Sequence, residues 1–260
     1  MTVREIYGIL DKKIPAELSC EWDNDGLMCC PDGGHGVRRV LVALDVTMET
    51  VERAIAGNFD MIVSHHPMIF KGLKAVEDEA YLGKKVIELV KSGIAVASFH
   101  TRLDALCGGV NDALAQALGL TPTETFGEGD MGRICELDEG ISLSEFSARV
   151  RTALGAPVVL WADGGKEVRR VALLGGEGGD LVRDAMAAGA DTYVSGRLGY
   201  HNMTDAPEMG INLIEAGHYF TEAPVCGVLR DMLLDVDGTL DVEIFSSNRI
   251  AASIKLQFEE

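Results

Sequence analysis

Apolar and polar positions along the chain follow two rhythms. Val3, Ile6, Ile9 and Leu10 recur at helical spacing behind Thr2, with Glu5 three residues on, so a capped helix is predicted over 3–13. Short unbroken apolar runs read as buried strands: Val40–Leu44, Asp60–Ser64 and Ile94–Phe99. Thr47 caps a helix over 48–57, another is predicted near 79–92, and Gly108 and Gly109 open one that reaches about 118. Near the end, Val242–Phe245 reads as a strand and Ile250–Phe258 as a further one. Strands alternating with helices in this way predict an α/β protein, a parallel sheet layered with helices. Ligands of such sheets collect beyond the carboxyl ends of the strands.

The pattern then recurs. From Arg39 and from Arg170 the chain tracks itself without a gap as far as Ser64 and Ser195, matching Val51 with Val182, Ala54 with Ala185 and Asp60 with Asp191. It resumes from Gly93 and Gly210, and with one inserted residue His100-xxx-Asp104 meets His218-xxx-Glu222. A two-fold repeat is far too short for a solenoid and predicts two related α/β lobes, residues 1–125 and 126–260, acting as one functional unit. The copies differ at one telling place. His65-His66 closes the second strand of the first copy, where the second copy has Gly196-Arg197.

Composition narrows the function. With 260 residues, 47% hydrophobic and 25% charged, the chain is that of a globular protein with a sizeable core. A formal net charge of −18 argues against nucleic acid or an anionic membrane surface as the main partner. No apolar run is long enough to span a bilayer, and the opening segment, charged at Arg4 and Glu5, lacks the apolar stretch of a signal peptide. The six cysteines contain no CxxC pair, which predicts reduced thiols and a cytoplasmic setting.

The candidate chemistry is the set His65, His66, His100, Asp104, His218 and Glu222. Histidine and carboxylate four residues apart share one helical face and can reach one ion. Imidazole and carboxylate without thiolate suit zinc, iron, manganese or nickel, and this many ligands suffice for a two-metal site that activates water near neutral pH. Other features weigh less. The acidic turn at 21–27 reads as local Asx-turn chemistry, and Gly175–Gly179 as a glycine turn rather than a phosphate cradle, because it lacks the GxGxxG spacing. Lys71, Lys74 and Arg102 are either solvated charges or groups that neutralise an anionic substrate. His201 reads as a surface or polar-network residue.

These residues sit in segments that resemble the Nif-three-like family, also known as GTP cyclohydrolase type 2 homologues. The matching stretches are WDNDGL at 22–27, ALDVT at 43–47, SHHPMIFKGLK at 64–74, FHTRLDA at 99–105, GGEGGDLVRDAMAAGADTYVSG at 175–196 and GHYFTEAP at 217–224. The resemblance implies two divalent metal ions held by His65, His66, Asp104, His218 and Glu222, with His100 close by and Asp104, Glu222 and His100 in catalytic roles. It also implies intertwined, pseudo-two-fold-related lobes with layered sheets, no inserted middle domain, and a homohexameric ring. Two functions are open: a metal-dependent hydrolase acting on a nucleotide-like or small anionic substrate through metal-bound hydroxide, or a non-catalytic metal-binding, metal-delivery or regulatory protein. Arg102 and Arg197 depart from the family, which more often has Asn and an acidic residue there.

Overall fold

The computed structural model describes residues 1–249, so the strand expected over Ile250–Phe258 lies outside the described residues. In chain order the elements begin with α1 (Val3–Lys13), β1 (Gly26–Cys29), β2 (Arg39–Ala43), α2 (Met48–Ala56), β3 (Met61–Ser64), α3 (Tyr81–Ser92), β4 (Ala95–Ser98) and α4 (Thr101–Ala105). Next come α5 (Val110–Ala117), β5 (Pro122–Phe126), β6 (Gly132–Ile141), α6 (Leu143–Leu154), β7 (Leu160–Ala162) and β8 (Val168–Glu177). The last are α7 (Val182–Ala187), β9 (Thr192–Arg197), α8 (Tyr200–Met209), β10 (Asn212–Glu215), α9 (His218–Glu222), α10 (Val225–Val236) and β11 (Asp241–Phe245). The predicted capping box closes α1, with Thr2 Oγ1 accepting from Glu5 N and Glu5 Oε2 accepting from Thr2 N.

The chain forms two compact units. One comprises Met1–Leu103 and Val225–Ser247, the other Asp104–Pro224 with Asn248 and Arg249. The first holds a five-stranded sheet in the order β1-β4-β3-β2-β11, the second a six-stranded sheet in the order β5-β6-β8-β9-β10-β7. The expected parallel pairing holds for only part of each sheet. β11, β2, β3 and β4 run parallel, as do β8, β9 and β10, while β1, β5, β6 and β7 pair antiparallel. Both sheets are therefore mixed. The β5–β6 connection, residues 127–131, is too short for a crossover, and a short connection imposes antiparallel pairing.

The central strands are buried on both faces, which is why they read as unbroken apolar runs. In the first unit Leu41, Ile62 and Val96 pack on Val51 and Ala54 of α2 and Leu89 of α3. In the second, one face carries Val171, Leu173 and Val194 against Leu114 of α5 and Phe146 of α6. The other carries Ala172, Leu174 and Tyr193 against Val182 and Ala185 of α7.

The sequence repeat reappears inside each unit as hydrogen bonding. Asp60 Oδ2 accepts from the backbone N–H groups of Arg38 and Arg39, at 2.8 and 2.9 Å. Asp191 Oδ2 accepts from Arg169 and Arg170, at 3.0 and 2.7 Å. The carbonyls of Ser64 and Ser195 each take the N–H of the residue after the third strand, Phe99 and Ala216, at 2.9 Å. Gly217 is then the inserted residue before α9. No helix among the described residues is long and apolar enough to cross a membrane.

Candidate metal centre

The first unit gathers three imidazoles at the carboxyl ends of its parallel strands. β3 ends at Ser64, whose hydroxyl donates to the His66 carbonyl at 2.9 Å and lies 2.8 Å from Ser98 Oγ on β4. The His66 N–H is held by the Leu44 carbonyl at 2.9 Å. The chain therefore bends just past the strand, and His65 and His66 turn into the same space as His100, which follows β4. Ring centroids are 4.9 Å apart for His65 and His66, 5.3 Å for His65 and His100, and 5.7 Å for His66 and His100. One nitrogen from each of the three lies within 4.8 Å of the others, close enough to share an ion.

Each ring is also fixed in tautomer. His65 Nδ1 donates to the Phe99 carbonyl at 2.9 Å, His66 Nδ1 to Asp45 Oδ1 at 2.8 Å, and His100 Nδ1 to Asp23 Oδ1 at 2.9 Å. Carbonyl and carboxylate oxygens accept, so each Nδ1 carries a proton and Nε2 is the nitrogen left to face a metal ion. That is the arrangement a histidine metal ligand requires.

The second unit has candidate ligands of its own. Helix α9 places His218 and Glu222 one turn apart, with His218 Nε2 3.0 Å from Glu222 Oε2. Glu222 is buried. Its carboxylate occupies the space a side chain would need at Gly176, a residue at φ +68° where glycine is favoured, and its Cγ would lie 3.1 Å from a Cβ at Gly175. Asp104 offers an oxygen within 4.8 Å of one from Glu222. Two carboxylates that close repel unless a cation or a proton lies between them. Asn111, buried on α5, secures the surroundings: its amide donates to the Asp104 and Met131 carbonyls at 3.2 and 2.9 Å, and its oxygen accepts from Gly175 N at 2.7 Å.

A family model described as Duf34/NIF3 (NGG1p interacting factor 3) matches residues 1–252. The chain belongs to this family. A protein of Clostridium acetobutylicum named GTP cyclohydrolase 1 type 2 homolog is 32% identical over 241 residues, 90% of each chain. The crystal structure of a Staphylococcus aureus protein matches with a TM-score of 0.86 at 27% identity, covering 96% of this chain and 98% of that one. A Bacillus cereus protein related to NIF3 matches with a TM-score of 0.83 at 26% identity, covering 95% and 97%.

Within this NIF3-family site two expectations need correction. The acidic turn is more than a local Asx turn. Asp23 takes the N–H and hydroxyl of Thr101 at 3.0 and 2.7 Å as well as His100, while Asp25 takes His100 N at 3.2 Å. Burial of Asp23 opposes its ionisation, but the hydrogen bonds from His100 and Thr101 outweigh it and hold the carboxyl well below the usual range. Arg102 neither faces a substrate nor is solvated. It is 1% exposed, donates to Asp11 and Asp25 at 2.7 and 3.0 Å and to the Ile14 carbonyl at 3.0 Å, and lies 4.7 Å over the Phe99 ring. Gly175 and Gly176, read as part of a glycine turn, lie at the end of β8 and make room for Glu222.

Lys71 and Lys74 are exposed, as is His201, and Arg197 is exposed with Glu177 3.6 Å away. Asp23, Asp45 and Asn111 are the functional residues the sequence reading misses. Their partners are distant along the chain, and the available signal is that Asp23 and Asp45 fall within the family-matching stretches at 22–27 and 43–47.

Proposed function

We propose that this NIF3-family protein binds two divalent metal ions through His65, His66, Asp104, His218 and Glu222, with His100 close by, and hydrolyses a nucleotide-like or other small anionic substrate. The observation that carries the reading is the trio of imidazoles whose Nδ1 protons are all committed to oxygen acceptors. A histidine with no ligand to hold has no need of that arrangement three times over. The donor set suits zinc, iron, manganese or nickel. When bound, such ions polarise substrate oxygens and activate water near neutral pH. The chain's own residues then position and move protons. Asp45, Asp23 and the Phe99 carbonyl hold the rings in register. Glu222 and Asp104 would neutralise bound ions, and Glu222 Oε2, 3.0 Å from His218 Nε2, would be the atom to hold a proton released from water. His100 lies against the same space and contacts the substrate. The name of the Clostridium relative supports the choice of a nucleotide-like substrate. A homohexameric ring in the cytoplasm belongs to the same proposal, and light scattering on the purified protein measures the mass directly.

Metal analysis of the purified protein is expected to give about two ions per chain, with most of that lost in His65→Ala and Glu222→Ala. Metal content unchanged by both substitutions ends the proposal. Product release from GTP or simple phosphoesters with added manganese, zinc or iron supports the hydrolase. A metal-replete protein inert across that panel is instead a metal-binding or metal-delivery protein.

A further inference from the structure

A cavity of about 440 Å³ opens in the first unit beside the imidazoles, within the size range of small-molecule sites. His66 and Asp45 form its inner end, and Phe70, Lys71, Tyr81 and Lys85 line the rest. Phe70 joins the cavity to the imidazoles directly: its ring centroid is 6.1 Å from that of His100, edge to face. The segment carrying it is pinned to the acidic turn by Asn24, whose amide donates to the Ile69 carbonyl.

The lining combines two chemistries that rarely coincide by accident on so acidic a protein. Phe70 is 45% and Tyr81 79% exposed, so two aromatic rings present open surface around one cavity. Exposed aromatic rings at the mouth of a cavity are the kind of surface that binding sites use. Beside them are cations. Lys85 Nζ lies 5.5 Å from the Tyr81 ring centroid and donates to the Val46 carbonyl at 2.6 Å, which fixes the ammonium in place and uses one of its three donors. Lys71 lines the same cavity, and Lys84 lines an adjoining one of about 340 Å³ that shares Tyr81 and Lys85. Three lysines thus line the two cavities that share Tyr81, in a chain whose net charge is −18. The one carboxylate in the lining, Asp45, is engaged with His66.

We propose that this cavity is a substrate subsite for a nucleotide, with Phe70 and Tyr81 stacking the planar base and Lys71 and Lys85 meeting the phosphate. The inference rests on the hydrolase reading for its connection to the metal ligands, but its own test is binding. Titration calorimetry on the metal-loaded protein uses three probes: GMP, guanosine and inorganic pyrophosphate. GMP is expected to bind more tightly than either of the others, since only it engages both parts of the lining. Tyr81→Ala, at a largely exposed position, is expected to weaken GMP about tenfold while leaving pyrophosphate unchanged. Lys71→Gln/Lys85→Gln is expected to weaken GMP and pyrophosphate together and leave guanosine unchanged. Lys71→Gln alone repeats the test at an exposed position where folding is not at stake. GMP affinity equal to wild type in all of these variants overturns the subsite, as does a wild-type protein that binds neither GMP nor pyrophosphate. Metal content separates the two readings. A wild-type protein without metal ends the hydrolase proposal, whereas unchanged GMP binding in variants with full metal content ends only the subsite.

Discussion

His66 Nδ1 donates to the Asp45 carboxylate at 2.8 Å, and the residue in Asp45's place in the second repeat is Gly176, whose missing side chain leaves room for Glu222. The same position in the two copies thus serves ligands in opposite ways: one copy supplies an acceptor that orients a histidine, the other supplies space for a carboxylate. Asp45→Ala is expected to lower metal affinity by about 10–100-fold, the usual cost of removing a group that orients a ligand. The Asp45 side chain is 46% exposed, so the melting temperature is expected to move little in the metal-free protein. A chelator-competition titration that finds wild-type affinity in Asp45→Ala would falsify the orienting role.

Gly176→Ala tests the other copy. A methyl there collides with the Glu222 carboxylate and would come within 3.3 Å of His218 Cε1, on a backbone at φ +68° that alanine adopts at a cost. The expected loss is about 2–3 kcal/mol of stability together with most of the bound metal. Urea denaturation and metal analysis on the same preparation measure both. A variant with full stability and full metal content would mean that Glu222 has room to shift.

The histidines and the carboxylates of α4 and α9 were legible in the sequence because the two copies could be laid side by side, and each lent meaning to the other. The His65-His66 pair against Gly196-Arg197 was legible as a difference but not as a cause. The cause is backbone: a Cβ at Gly196 would fall 2.5 Å from the Gly176 carbonyl and 2.7 Å from His218 Cα, so the start of α9 fills the space that a side chain at Gly196 would need. Asp23 and Asn111 were not legible in this way. Their roles depend on hydrogen bonds spanning 77 and 64 residues, to His100 and to Gly175. Similarly, the apolar character of Val242–Phe245 predicts a strand but not its place beside β2 in the first sheet.

Arg102 departs from the pattern the family resemblance suggests, and its setting says what a change there should do. The guanidinium is buried over Phe99, between Asp11 and Asp25, and Asp25 is itself only 7% exposed and holds the N–H of His100. Removing one partner of a buried pair leaves the other charge uncompensated. Arg102→Ala is therefore expected to destabilise the protein by about 3–5 kcal/mol. Substrate affinity of the folded remainder is expected to stay near wild type, because the side chain does not reach the cavity. A variant of normal stability but weakened GMP binding would reverse that assignment.

Asp60 gives the pH dependence its sign. Burial raises its affinity for a proton, but hydrogen bonds from His35 and from the N–H groups of Arg38 and Arg39 outweigh this and hold the carboxyl below its ordinary value. A carboxyl depressed in the folded state stabilises at every pH above its unfolded value and loses that contribution as pH falls through the folded one. The unfolded value is about 3.9. Asp60→Asn is thus expected to cost about 1.5–3 kcal/mol at pH 7, the range for hydrogen bonds to a charged acceptor. The gap between variant and wild type should then narrow as pH falls below about 4, where the carboxyl of the unfolded chain protonates, and close only below the depressed value of the folded carboxyl. Chemical denaturation at pH 7, 5 and 3 follows the gap. A difference that stays constant across that range would place the effect of the substitution in packing rather than in charge.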